Sequence, residues 1–300
     1  MLVKRFSTNP IITPDMDPSI GGNINGPSLI RVPDWLPNRL GKYYLYFAHH
    51  QGLFIRLAYA DALAGPWTIY KPGTLRLEQT PCHGHIASPD VHLDHENKRL
   101  IMYYHGPTIK KEDLKDDWLS QKYPFVGGQR SLVATSSDGL NFTSGQEIFG
   151  PSYFRVFKWQ GYIYALGMPG IFFRSKDGLT NFEVGPILFD ARMRHTALKL
   201  DGHTLNIFYS NSQDCPEHIL LSTIDLRGDW QTWQPSDPVS VLRPETDYEG
   251  ADLPLQPSER GAIHRRVRQL RDPAIYQEDG RTYLLYAVAG ENGLAIAELV

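Results

Sequence analysis

Tyr43-Tyr44-Leu45-Tyr46-Phe47 sets five large aromatic or aliphatic side chains in a row, just after Gly41-Lys42. That length and composition read as a β-strand buried on both faces. The same strand returns four times: Ile101-Met102-Tyr103-Tyr104-His105, Tyr162-Ile163-Tyr164-Ala165-Leu166, Leu205-Asn206-Ile207-Phe208-Tyr209 and Tyr283-Leu284-Leu285-Tyr286-Ala287. Most copies follow a turn: Gly41-Lys42, Gln160-Gly161, Asp201-Gly202 or Asp279-Gly280. Upstream of each lies another apolar stretch, at 28–32, 91–94, 153–159, 196–200 and 274–277, so each pair predicts a hairpin. A third strand follows, and four copies then place an Asp before an aromatic: Asp61 with Trp67, Asp138 with Phe142, Asp177 with Phe182 and Asp225 with Trp230. These Asp residues read as turn caps leading into a fourth strand.

The fifth copy ends at 294–299 without a fourth strand, and the N-terminal segment 3–6 can supply it. Internal recurrence of one supersecondary pattern is the signature of a radial or stacked repeat. The expectation is therefore all-β: a single five-bladed β-propeller over residues 1–300, with four antiparallel strands per blade. Closure by the N-terminal strand would leave no open sheet edge. Two stretches interrupt the period, 107–128 and 235–269. The first carries the charged run 110–118 and predicts a short surface helix. Long insertions on a regular scaffold are commonly functional loops.

Bulk composition excludes several classes. The net charge is −3 with no basic tract, which speaks against nucleic-acid or membrane-surface binding. The two cysteines, Cys82 and Cys215, form neither a disulfide framework nor a zinc motif. Residues 1–10 contain no apolar signal-peptide core, so the expected location is cytoplasmic.

In a propeller blade, the starts of first strands and the ends of second strands meet on one face, around the channel mouth. Unusual polar residues concentrate in those stretches. Before first strands lie Asn25-Gly26-Pro27, His83-Gly84-His85, Ser88-Pro89-Asp90, Arg194-His195 and Arg271-Asp272-Pro273. At second-strand ends lie His49-His50, His105 and Ala289-Gly290, and Arg130 begins a third strand. Only one of His49 and His50 can face inward. His83 and His85 share a strand face, a spacing that suits a metal pair, but two histidines alone are weak evidence and no metal site is assigned. Arg155 lies inside an inner strand as a site residue or a satisfied core cation. Asp272 is the best single acid, with Arg271 placed to keep it ionised. Glu249, between Tyr248 and Gly250 in the second insertion, reads as a second placed acid.

With these residues on the page, the chain resembles the clan of glycoside hydrolase families 43, 32 and 68 and the related families 117 and 130. Arg271-Asp272-Pro273 resembles the Arg-Asp-Pro motif of invertase-type enzymes, and Asn9-Pro10-Ile11-Ile12 resembles the openings of this group. The resemblance implies a glycosidase fold over nearly the whole chain, a structural calcium or sodium in the central channel, and no required organic cofactor. Family 43 enzymes carry an acid at the first, second and third inner-strand starts. Here those starts read Asn25-Gly26-Pro27, Ser88-Pro89 and Gly150-Pro151, and the acid survives only in blade 5. Resemblance to family 117 implies a histidine acid, His195 or His85.

Hydrolysis of an oligo- or polysaccharide is the leading functional expectation. Asp272 would be base or nucleophile and Glu249 the acid, with Asp90 or His195 tuning them. Asn25, His49, His85, His105, Arg130, Arg155, Arg194 and Arg271 would bind substrate. A face rich in Arg and His also suits an acidic sugar, and it keeps a second reading open: a polysaccharide lyase that abstracts a proton next to a uronate carboxylate. A non-catalytic sugar-binding propeller is the third.

Overall fold

The computed structural model describes residues 1–300. Its chain opens with β1 (Val3–Arg5) and then builds five four-stranded antiparallel sheets. Blade 1 is β2 (Asn25–Arg31), β3 (Tyr43–Ala48), β4 (Phe54–Ala60) and β5 (Thr68–Arg76). Blade 2 is β6 (Ala87–Asp94), β7 (Arg99–Pro107), β8 (Gln129–Ser136) and β9 (Thr143–Ser144), with α1 (Trp118–Lys122) between β7 and β8. Blade 3 is β10 (Arg155–Trp159), β11 (Tyr162–Gly167), β12 (Ile171–Ser175) and β13 (Glu183–Ile187). Blade 4 is β14 (Met193–Asp201), β15 (Thr204–Asn211), β16 (Ile219–Asp225) and β17 (Val239–Leu242). Blade 5 is β18 (Arg271–Glu278), β19 (Arg281–Ala287) and β20 (Leu294–Leu299), with β1 as its outer strand.

Closure is by β1 on β20, in the register Val3↔Leu299 to Arg5↔Ala297. Reciprocal bonds between Leu2 and Val300, at 2.8 and 2.9 Å, extend the pairing to the termini. The aromatic runs explain why the blades stack. Side chains alternate across a strand, so Tyr43, Leu45 and Phe47 enter the core shared with blade 5, while Tyr44 and Tyr46 enter the core shared with blade 2. Each neighbouring pair of blades encloses one such core, five in all. Two buried tyrosines also lock a blade to the next by a polar tip. Tyr46 donates to the Gly139 carbonyl at 2.8 Å, and Tyr103 repeats this one blade on, to Gly178 at 2.7 Å.

The turn aspartates do what their position implies. Asp138 accepts from the backbone N–H groups of Leu140 and Asn141, and Asp177 from those of Leu179 and Thr180. Two details differ from the sequence reading. The charged run at 110–118 forms only a single 3-10 turn, Lys111–Asp113, and the helix starts where Asp117 caps α1 by accepting from Ser120 N–H. The second insertion is shorter than the broken period suggests, because β17 falls inside it.

Candidate functional site

The five inner strands share one local device. At the start of each, one residue has left-handed backbone: Gly26, Ser88, Tyr153, His195 and Asp272, with φ between 48° and 69°. In four blades the strand register slips across that residue, as in a β-bulge. Only the first of the five is glycine, so four side chains are held in a conformation L-residues seldom adopt. A side chain on Gly26 would meet the Ser88 Cα at 2.8 Å, which shows how closely the ring is packed.

A cavity of about 300 Å³ opens beside this ring. Ser88, Tyr153, His195 and Asp272 line it together with Asn25, His50, His105, Arg194 and Arg260, and the blade 2 insertion adds Phe125 to Gly127 as one wall. Asp272 is its only carboxyl group. One oxygen of Asp272 accepts from the Tyr153 hydroxyl at 2.8 Å, and the other, 3.6 Å from His195 Nδ1, has no hydrogen-bond partner. Burial, reinforced by the nearby Glu291 carboxylate, pushes the Asp272 carboxyl up to about 6. The expectation that Arg271 keeps it ionised is corrected: that guanidinium is directed away, onto Glu291 at 3.0 Å and Glu217 at 3.1 Å.

The imidazoles divide into two kinds. Burial holds His195 and His105 neutral, well below the usual range, with Arg194 the next cause for His195 and His85 for His105. Tyr153 lies between them, its ring 5.1 Å from His195 and 5.9 Å from His105. His50 differs in having a carboxylate within hydrogen-bond distance. Its Nδ1 lies 3.2 Å from Glu291, a fully buried carboxylate that also accepts from Asn23 at 2.5 Å and Asn25 at 3.3 Å. Burial alone would raise the Glu291 carboxyl, but the His50 contact and the Arg271 charge outweigh it and hold it low. A carboxylate on Nδ1 fixes the ring orientation and leaves Nε2 as the acceptor.

Five sequence candidates line the cavity: Asp272, His195, Asn25, His105 and Arg194. Seven candidates lie outside the lining, each for a physical reason. Glu249 is buried away from the cavity, accepting from Arg5, from Tyr286 and from the backbone of Glu245 and Thr246, so it clamps the insertion to β1. Asp90 binds His92 at 2.8 Å and the Val156 N–H at 3.0 Å, which ties β6 to β10. Arg155 faces the same seam, donating to the Ser88 carbonyl with its guanidinium 4.2 Å from the Tyr153 ring. Arg130 pairs with Asp117 and donates to the carbonyls of Gly127 and Gln129, which holds the insertion wall in place rather than a ligand. Arg271 lies beneath the floor in the Glu217–Glu291 network. His49 and His50 point apart, as adjacent residues do on extended backbone, with His50 lining the cavity and His49 turned away from it toward Arg56. His85 stands beside the cavity, its ring 6.5 Å from that of His50.

The sequence reading missed Tyr153, His50, Glu291 and Arg260 as site residues. Glu291 directly follows the Ala289-Gly290 stretch, so the signal stopped one residue short. Arg260 comes from the irregular insertion, where no periodicity marks it. The implied calcium or sodium does not fit these residues. No three His, Cys, Asp or Glu groups converge to hold a metal, and Arg194 and Arg271 already place positive charge near Asp272.

No known family model matches the chain. An uncharacterized protein of Acanthamoeba polyphaga mimivirus is 38% identical over 340 aligned positions, covering all of this chain and 90% of the relative. Among solved structures, a family 43 β-xylosidase/α-arabinofuranosidase from a compost microbial metagenome, in complex with xylotriose, superposes with a TM-score of 0.60 at 15% identity, covering 100% of this chain and 96% of that one. An exo-β-1,3-galactanase of Phanerochaete chrysosporium, with β-1,3-galactotriose, gives a TM-score of 0.59 at 10% identity, covering 91% of this chain and 59% of that one. The chain therefore belongs to one family with the mimivirus protein, and its fold is the five-bladed propeller of the family 43 glycoside hydrolases.

Proposed function

We propose that this protein is a glycoside hydrolase acting on an oligo- or polysaccharide that carries an anionic sugar. The observation that carries this reading is the pairing, on one cavity, of a carboxyl raised to about 6 with an imidazole oriented by a buried carboxylate. Hydrolysis needs an acid at the leaving oxygen and a base for water. Asp272 is the acid: in its protonated form it gives its proton to the glycosidic oxygen. His50, with Glu291 behind it, takes a proton from water, whose oxygen then bonds to the anomeric carbon. His195 is too close to Asp272, at 3.6 Å, to work from the opposite side of a sugar, so it tunes that carboxyl. The fold likeness to enzymes that act on xylosides and galactans supports a saccharide ligand.

The acid role has a definite sign with pH. An acid must hold its proton, so kcat/KM is expected to fall as pH rises through about 6, where Asp272 ionises. A profile of kcat/KM between pH 4 and 9 checks this, and a plateau extending above pH 8 would remove Asp272 from the acid role.

Arg260 supports the anionic sugar. It lines the cavity and forms no ion pair, and its charge is felt by Arg194 and Glu217 nearby. Arg260→Gln is expected to raise KM for a uronate-containing substrate by about 10-fold or more, the worth of one charge-assisted hydrogen bond. An equal effect on a neutral analogue would argue against it.

One observation favours a second reading. The cavity holds two arginines, three imidazoles and Tyr153 against a single carboxyl, a composition that also suits β-elimination from a uronate. Mass spectrometry and ultraviolet absorbance of the products separate the two. Hydrolysis adds one water and no absorbance, whereas elimination leaves total mass unchanged and creates an absorbing double bond.

A further inference from the structure

The buried arginines of this chain are almost all neutralised by protein groups. Arg130 pairs with Asp117, Arg194 with Glu217, and Arg271 with both Glu217 and Glu291. Arg155 has carbonyl acceptors and an aromatic face. Arg56 is the exception. It opens β4 on the side facing blade 5 and is only 4% exposed, yet neither Nε nor Nη1 has a hydrogen-bond partner. Its sole protein partner is the Phe54 ring, 5.1 Å from the guanidinium carbon. Burial is the one influence on its acidity, and it lowers the pKa to about 10. An isolated buried cation without acceptors costs several kcal/mol, so such groups are paired or bind a counter-charge.

A second donor is aimed at the same place. His49 Nδ1 accepts from the Gln51 N–H at 3.0 Å, so the neutral ring carries its proton on Nε2. Burial first, and then the Arg56 charge, lowers the pKa of this imidazole to about 4 and keeps it neutral. Gly21 lets the two donors share one space. A side-chain carbon there would stand 3.4 Å from His49 Nε2 and 3.9 Å from Arg56 Nη2. Gly52 closes the other side, where a side-chain carbon would meet Arg56 Nη1 at 3.1 Å, and the next position, Gly22, borders open space. Neither Arg56 nor His49 lines the central cavity.

We propose that the chain binds a small inorganic anion, a halide or phosphate-sized oxyanion, between blades 1 and 5 on Arg56 and His49. The anion neutralises the one buried guanidinium that has neither a carboxylate nor a carbonyl acceptor, and it fastens the 18–22 segment where blades 1 and 5 meet. This site is independent of the reaction assigned to the central cavity.

The test uses the full chain with sodium chloride and with sodium phosphate, ionic strength being held constant with sodium isethionate. Tm is expected to rise along a saturating curve with at least one of the two salts, by about 5 °C at 100-fold over Kd. The salt that acts identifies which anion the site accepts. In Arg56→Met the curve is flat, and without added anion this variant melts at or above the wild type, because a neutral side chain of similar length removes the buried charge. A wild type that responds to neither salt, or a response shared by Arg56→Met, overturns the proposal. If Arg56→Met does not fold, His49→Ala decides: the midpoint in anion moves up about 5-fold or more if the site exists, and an unchanged midpoint overturns it.

Discussion

Asp272→Asn is expected to lower kcat by about 1000-fold, within the range that positioned acid–base groups contribute, while KM changes little. Asn keeps an acceptor for the Tyr153 hydroxyl, so the cavity wall stays in place, but it carries no proton to give. Stability separates this loss from unfolding. A carboxyl whose folded pKa is raised, here to about 6, binds its proton more tightly in the folded chain. Its ionisation therefore costs stability progressively as pH rises from about 4 to about 6, and the cost is fully present at pH 7. Replacing it with a neutral amide removes that cost, so Asp272→Asn should melt at or above the wild type at pH 7. Steady-state kinetics and a melting curve on one preparation read both. Retained kcat would remove Asp272 from the reaction. The combination of lost turnover and undiminished Tm marks strain held in the folded state for chemistry.

Glu249→Ala should do the reverse. This carboxylate accepts from Arg5 Nε at 2.8 Å and Nη2 at 3.1 Å, from the Tyr286 hydroxyl at 2.9 Å, and from the backbone N–H groups of Glu245 and Thr246. Arg5 belongs to β1, the strand that closes the ring, so the contact fastens the second insertion to the closure. Removing it leaves a buried hydroxyl and two amides without their acceptor and reduces Arg5 to Glu245 and the Arg243 carbonyl, at a cost of about 3 kcal/mol or more. Tm is expected to fall by about 10 °C for a chain of this size. Well below that temperature, kcat should match the wild type. A lost kcat with an unaltered Tm would return Glu249 to the reaction.

The contrast between these two acids shows how far each kind of information reaches. Five copies of one aromatic strand, most of them after a turn, leave one economical solution: blades whose two faces are both buried. The N-terminal strand is readable because the fifth repeat lacks its fourth strand and the segment 3–6 lies outside the five repeats. Asp272 is readable because strand topology alone puts the start of an inner strand at the channel mouth. All of this follows from side-chain alternation and chain direction, which are local properties.

What the sequence could not decide is which polar groups consume one another. Asp90, Arg155 and Arg130 occupy the stretches a site should occupy, but each finds a partner on a neighbouring blade or insertion and is spent there. His49 and His50 are chemically identical neighbours that must point apart, and only the tertiary structure decides that His50 goes to the cavity and His49 to Arg56. Arg271 beside Asp272 reads as its counter-ion, yet Glu217 and Glu291, from 54 residues before and 20 residues after Arg271 in the chain, take that charge instead. Hydrogen bonds and ion pairs act over about 3–4 Å, between residues far apart in the chain, so the repeat pattern determined the scaffold and the position of the site. Only the tertiary structure decided which carboxyl is left free within it.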